Sequence, residues 1–200
     1  MRGPERHLLV VVIFLMGLCV TVAACRHRDV PTPKPVGYFR IDLPEHQYRH
    51  MDTTLPFTFE QSEHATLTIR NQQNGTCWID VTYPELNAAF KLTYILVPRT
   101  DSLRSLMIKE EKMVKFHYQK ADDVEFSVIH DPEARLWGRI YDIEGKEVAT
   151  PLIFWMTDST HQFLRGTLYF NFTPNNDSLQ PVIDYLREDF MQFTNTIKWK

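Results

Sequence analysis

Residues 137–171, WGRIYDIEGKEVATPLIFWMTDSTHQFLRGTLYFN, decide the fold. Apolar and aromatic side chains fill 137–143, 148–157 and 163–171, and turn-forming residues separate the three runs. Glu144-Gly145 reads as a tight hairpin turn and Asp158-Ser159-Thr160 as the next. Consecutive strands joined by short turns pair antiparallel. Upstream, Phe57/Phe59, Leu67/Ile69, Ile79/Val81/Tyr83 and Phe90/Leu92/Tyr94 alternate with polar neighbours, and Val124/Phe126/Val128 do so just before the decisive stretch.

Two segments carry the helical period instead. Leu103, Leu106, Met107, Met113, Val114 and His117 form one stripe, which Thr100 or Asp101 caps, with Lys109, Glu110, Glu111, Lys112 and Lys115 on a solvated face. Leu179, Val182, Ile183, Leu186, Phe190, Phe193 and Ile197 form the other. There Asp177 is the expected N-cap, Gln180 takes the capping-box position and Pro181 lies in the tolerant first turn. The order is four strands, a helix, four strands, a helix. The expectation is α+β: a single domain, mainly an antiparallel sheet with two amphipathic helices packed on it.

The whole chain has 200 residues and a formal charge of −3, which suits one domain with an appendage. Its 44% hydrophobic and 12% aromatic content excludes a disordered chain, and the near-neutral balance gives no reason to expect nucleic acid as a partner. The N-terminus is a different material. Arg2 and Arg6 precede an apolar run over 8–24, and Val22-Ala23-Ala24-Cys25 resembles the bacterial lipobox. A positive start, a short apolar run and small residues before a cut describe an export signal. Only a thiol forms the thioether to diacylglycerol, so Cys25 is the expected lipidation site, carrying acyl chains such as palmitate. Pro31, Pro33 and Pro35 then alternate in an extended tether. The expected organisation is a signal peptide over 1–24, a lipidated cysteine and Pro-rich tether over 25–36, and the domain over 37–200. Arg26, where an Asp would retain a lipoprotein at the inner membrane in enteric bacteria, favours the outer membrane over the inner. Cys19 leaves with the signal, and Cys77 reads as a buried small hydrophobe.

No GxSxG, Walker A, HExxH or CxxC occurs, so no catalytic, cofactor or metal residue is assigned. Glu45, His46, His50 and Asp52 have metal-ligand chemistry, but their segment lacks a helical period and reads as a polar loop. Asp158, Ser159 and His161 supply the residue types of a hydrolytic triad and read as turn chemistry. His117 and His130 read as packing and strand-end residues. Asp142 and Glu144 are two carboxylates near a hairpin, and acid–base work would need a cleft around them. Trp78, Trp137, Trp155 and Trp199 could form a stacking surface, yet most are assigned to the core.

Four blocks carry a family resemblance: GYFRIDLPEHQY at 37–48, CWIDVTYPELNA at 77–88, residues 138–171, and PNNDSLQPVIDYLREDFMQFTNTIKWK at 174–200. With the lipobox and tether, they resemble the gliding-motility lipoprotein GldD family of the Bacteroidetes. The resemblance implies a non-enzymatic envelope protein, anchored by diacylglycerol on Cys25 and facing the periplasm. It further implies support of gliding and of the associated type IX secretion machinery through contacts with other envelope proteins. It transfers no catalytic residue. The element order is similar to the PsbP/Mog1-like α/β fold, a likeness of fold alone. Proteins of that phylum are O-glycosylated at Asp-Ser/Thr followed by an apolar residue, which implies Ser102 and Ser178, and more loosely Ser159, as acceptors. The alternatives are a lipid- or glycan-binding module using Trp137 and Trp155, and a cryptic hydrolase built on Asp158, Ser159 and His161.

Overall fold

The computed structural model describes residues 41–73, 75–146, 148–172 and 175–200. The expected signal peptide, Cys25 and the Pro-rich tether lie outside the described residues. The elements are β1 (Tyr48–Met51), β2 (Phe57–Ser62), β3 (Thr66–Gln73), β4 (Thr76–Tyr83), β5 (Ala88–Leu96), α1 (Thr100–Lys115), β6 (Asp123–Asp131), β7 (Leu136–Glu144), β8 (Leu152–Thr157), β9 (Gln162–Phe170), α2 (Asn176–Thr196) and β10 (Lys198–Trp199). This is the α+β domain expected, antiparallel throughout, with two strands beyond the eight read from alternation. β1 lies in the segment read as a loop, and β10 follows α2 directly.

Seven strands form the main sheet in the order β3-β4-β5-β9-β8-β7-β6. It is two antiparallel meanders, β3–β5 and β6–β9, joined where β9 returns beside β5 over Ala88↔Phe170 to Leu96↔Gln162. A second sheet, β1-β2-β10, has β2 at its centre. The β7–β8 connection is wider than the tight Glu144-Gly145 hairpin expected. β8 begins at Leu152, and Ile143 N–H donates to Pro151 C=O across the loop. Pro151 has no N–H to offer the ladder, so the strand starts after it.

Every residue of β8, LIFWMT, is buried, so both faces of the sheet need a cover. On one face, α2 brings Phe190 to 4.4 Å from Phe154, and Phe193 meets Phe59 of β2 edge-on at 5.0 Å. Leu92, Leu164, Leu168 and Leu186 complete that core. On the other face, Ile153, Trp155, Phe163 and Tyr141 pack with Leu103 and Val114 of α1. Gly138 is required by the close approach of β8, because a Cβ there would stand 2.3 Å from the Trp155 carbonyl oxygen.

The helix starts differ from expectation. α1 has Arg99 as its N-cap and α2 has Asn175, neither with a side-chain cap bond. α2 therefore begins before Asp177, which lies in its first turn, and Pro181 falls in the second turn. There Pro181 leaves the Asp177 carbonyl without its helical donor.

Phe154→Ala removes a fully buried ring from the contact with α2 and should cost about 3–5 kcal/mol in urea unfolding. Phe126→Ala, at an exposed position of β6 where the ring meets Tyr141 and Arg139, should cost no more than about 1–1.5 kcal/mol.

Candidate interaction surface

The α1 face holds the first departure from the sequence reading. Glu110 and Glu111, read as solvated, face the sheet, while Met113 of the apolar stripe is exposed. The cause is a cross-strand row, Arg139, Trp155 and Arg165, on β7, β8 and β9. Arg165 donates to Glu110 at 2.7 Å and Arg139 to Glu111 at 2.7 Å, one ion pair on each side of the indole. The helix is thus seated on the sheet by two salt bridges as well as by Leu103 and Val114.

Beyond α1, the same face of β3, β4, β5 and β9 is polar. Asp80 takes Arg70 at 2.9 Å and Lys91 at 3.2 Å, with Trp78 and Tyr169 exposed nearby along the strands. A groove of about 260 Å³ separates this half-sheet from α1, walled by Lys91, Thr93, Met113, His117 and Arg165. Trp78 is 40% exposed, the exception among four tryptophans most of which are expected in the core. Trp155 is buried and stacked on Phe163, Trp137 is half-buried, and Trp199 packs edge-on against Phe57. Neither Trp137 nor Trp155 lines this groove or the two cavities described next.

The four candidate metal ligands separate. His46 lies in a loop, as expected, just before β1; its Nδ1–H donates to Asp189 Oδ1 of α2 at 2.6 Å, and its Nε2 lies 3.2 Å from Glu188 Oε2. The ring stacks on Tyr185 at 4.2 Å, and Tyr48 O–H donates to the same Asp189 oxygen at 3.0 Å. Burial and the adjoining Asp189 carboxylate hold the Tyr83 phenol well above its ordinary value. Asp189 and Gln61 both line a small apolar cavity of about 30 Å³ between α2 and the sheet. His50 is exposed on β1, and Asp52 pairs with Lys200 at 2.8 Å. Among the described residues, no three His, Cys, Asp or Glu side chains gather as metal ligands. What this network does is clamp the segment before β1 onto α2.

Asp158 is committed to its turn. It accepts the N–H groups of Thr160, His161 and Gln162 at 2.9, 2.8 and 2.8 Å and the Thr160 hydroxyl. It receives the backbone of His161, and Ser159 sits in the left-handed region at φ 64°. Burial acts to raise the Asp158 pKa, but the Thr160 hydroxyl and these N–H groups outweigh it and hold the carboxyl below its ordinary value. Cys77 is buried, and burial pushes its thiol up. His117 begins a short 3-10 turn after α1, and burial pushes its imidazole down; His130 is exposed near the end of β6.

Asp142 and Glu144 do border a cleft. It encloses about 240 Å³ between the end of β7 and the start of α2, with Asp122, Asp177, Asp184 and Arg187 in its wall. Arg187 meets Asp142 at 2.7 Å. Burial raises the Asp142 pKa, Arg187 opposes this, and Glu125 and Glu144 add to it. Arg187 neutralises Asp142 within this anionic cleft, and no Ser, Thr, Cys, His or Lys is among the lining residues.

Ser102 and Ser178 stand in the first turns of α1 and α2, and Ser159 is exposed at a loop tip. Among the described residues, no helix is long and apolar enough to cross a membrane.

Asp158→Ala should cost about 1–3 kcal/mol, because buried N–H donors lose their acceptor. The folded pKa lies below the unfolded value, so its contribution is full above the unfolded pKa and fades as pH falls through the folded one. Urea midpoints should therefore differ between wild type and variant at pH 7, and converge as pH drops well below 4.

No curated protein matches the chain at a significant level. A family model described as gliding motility lipoprotein GldD matches residues 28–199, from the expected tether to β10 and across both helices. The chain belongs to the gliding motility lipoprotein GldD family.

Proposed function

We propose that the chain is a lipid-anchored component of the cell envelope that supports gliding motility, and the associated type IX secretion machinery, through protein contacts and without catalysis. The family match over 28–199 is the observation that carries this reading. Val22-Ala23-Ala24-Cys25 after an apolar run supports cleavage at 24 and diacylglycerol on Cys25. Two or three acyl chains give a firm anchor, and the alternating prolines over 31–35 hold the domain over 37–200 off the membrane, facing the periplasm. Arg26 after the cysteine favours the outer membrane.

The side chains named for chemistry have structural occupations that agree with a contact protein. Asp158 saturates a turn and His46 clamps α2. Among the three Asp-Ser motifs, Ser159 has the exposed loop setting that a glycan requires, so it is the acceptor this reading favours over Ser102 and Ser178.

Deletion of the gene should abolish colony spreading and lower secretion of cargo proteins; a deletion strain normal in both would refute the proposal. Cys25→Ser should leave an uncleaved precursor that lacks the acyl mass. An acylated mature form in that variant, seen by intact-mass spectrometry, would place the lipid elsewhere.

A further inference from the structure

The two edges of the main sheet are finished differently. β3 shifts register against β4 between Ile69 and Gln72, a bulge of the kind that turns an edge away from further pairing. β6 pairs with β7 without interruption from Asp123 to Asp131, and it contains neither proline nor glycine. Its outer side pairs with no strand among the described residues. Alternate residues along this strand turn N–H and C=O outward, and although Asp123 Oδ1 accepts the Val124 N–H at 2.8 Å, the row beyond it from Phe126 onward is a template for another strand.

The side chains of β6 specify what that strand would carry. On one face Phe126 is 58% and Val128 64% exposed. Arg139 lies over the Phe126 ring at 5.2 Å and pairs with Glu111 of α1. On the other face Asp123 stands directly opposite Glu144, and Glu125 directly opposite Asp142. Like charges in direct cross-strand register destabilise a sheet. Arg187 answers Asp142 alone of these four; no cation among the described residues pairs with the other three. The acidic face continues into the cleft at the start of α2, whose wall includes Asn176, 6% exposed and with Oδ1 unpartnered.

We propose that β6 is a docking edge, to which a partner protein adds an extended segment with basic side chains over the Asp123–Glu144 and Glu125–Asp142 pairs and apolar side chains over Phe126 and Val128. The inference rests on the protein-contact reading above and names the partner's chemistry. A second copy does not fit, because pairing β6 with itself about Ser127 sets Asp123 against Asp131 and one acidic face beside another. A segment alternating Lys or Arg with Val, Ile or Phe satisfies both faces at once.

The test uses the full chain in the producing cell, with a photo-crosslinking residue in place of Val128 and the captured partner peptide mapped by mass spectrometry. The expected peptide alternates basic and apolar residues. Glu125→Lys sets a cation opposite Asp142, so it should leave the melting temperature unchanged or higher, yet cut the crosslink at least tenfold and reduce spreading to the level of the deletion strain. A captured segment that is acidic or helically patterned, no crosslink above that from exposed Lys109, or a Glu125→Lys chain that crosslinks and spreads normally would overturn the docking edge. The last result, beside a non-spreading deletion strain, removes the edge and leaves the protein-contact reading standing. A deletion strain that spreads and secretes normally removes that reading itself.

Discussion

The burial of β8 on both faces is the constraint from which the rest of the structure follows. LIFWMT offers Phe154 and Met156 to one side and Ile153 and Trp155 to the other, and none of these side chains tolerates water. One face is closed by α2 together with the small β1-β2-β10 sheet, which places Phe190 and Phe193 over Phe154 and packs Phe57 and Phe59 against Phe193. Among the described residues the other is closed mainly by α1, with Val97, Ala121 and Val148 of the loops at its margin, and a helix of 16 residues is too narrow to cover seven strands. The centre is therefore dry on both sides, while no described residue covers the β3–β5 half-face or pairs with the β6 edge. Exposure of Trp78, Phe126 and Val128 follows from where the covers end.

Carboxylates divide along the same line. Asp158, Asp189 and Glu110 lie under cover and each has donors: backbone N–H groups for the first, His46 and Tyr48 for the second, Arg165 for the third. These are structural charges, since a buried anion survives only when paired. Asp123, Glu125 and Glu144 lie at the uncovered edge, where water screens them and like charges face one another. The contrast separates residues that hold the fold from residues that present a surface, and it places the surface of this lipoprotein at the rim of its main sheet.

Much of this was legible in the sequence for a definite reason. Period-two alternation and turn residues revealed eight strands, and the 3.6-residue stripes revealed both helices, because each element has one apolar face to hide. Pairing of β5 with β9 was not legible: no local signal links residues 88–96 with 162–170, and only closure of the sheet brings them together. The roles of Glu110 and Glu111 are hidden in the sequence because a charged run on a helix resembles a solvated face, whereas Arg139 and Arg165 lie beneath it. The clamp made by His46 has no local signal, because its partner Asp189 is 143 residues away. The carboxylate pair Asp142 and Glu144 was visible as a pair, but the cleft around it belongs to the docking of α2 and could not be.

Native-state hydrogen exchange on the mature chain tests the central claim most directly, because it reads cover strand by strand. Amides of β8 and β9 should exchange only through global unfolding, with the same free energy as the urea transition. Those of β6 should open at a markedly lower free energy. Protection of β6 equal to that of β8 would contradict an account in which one strand is covered on both faces and the other is left open.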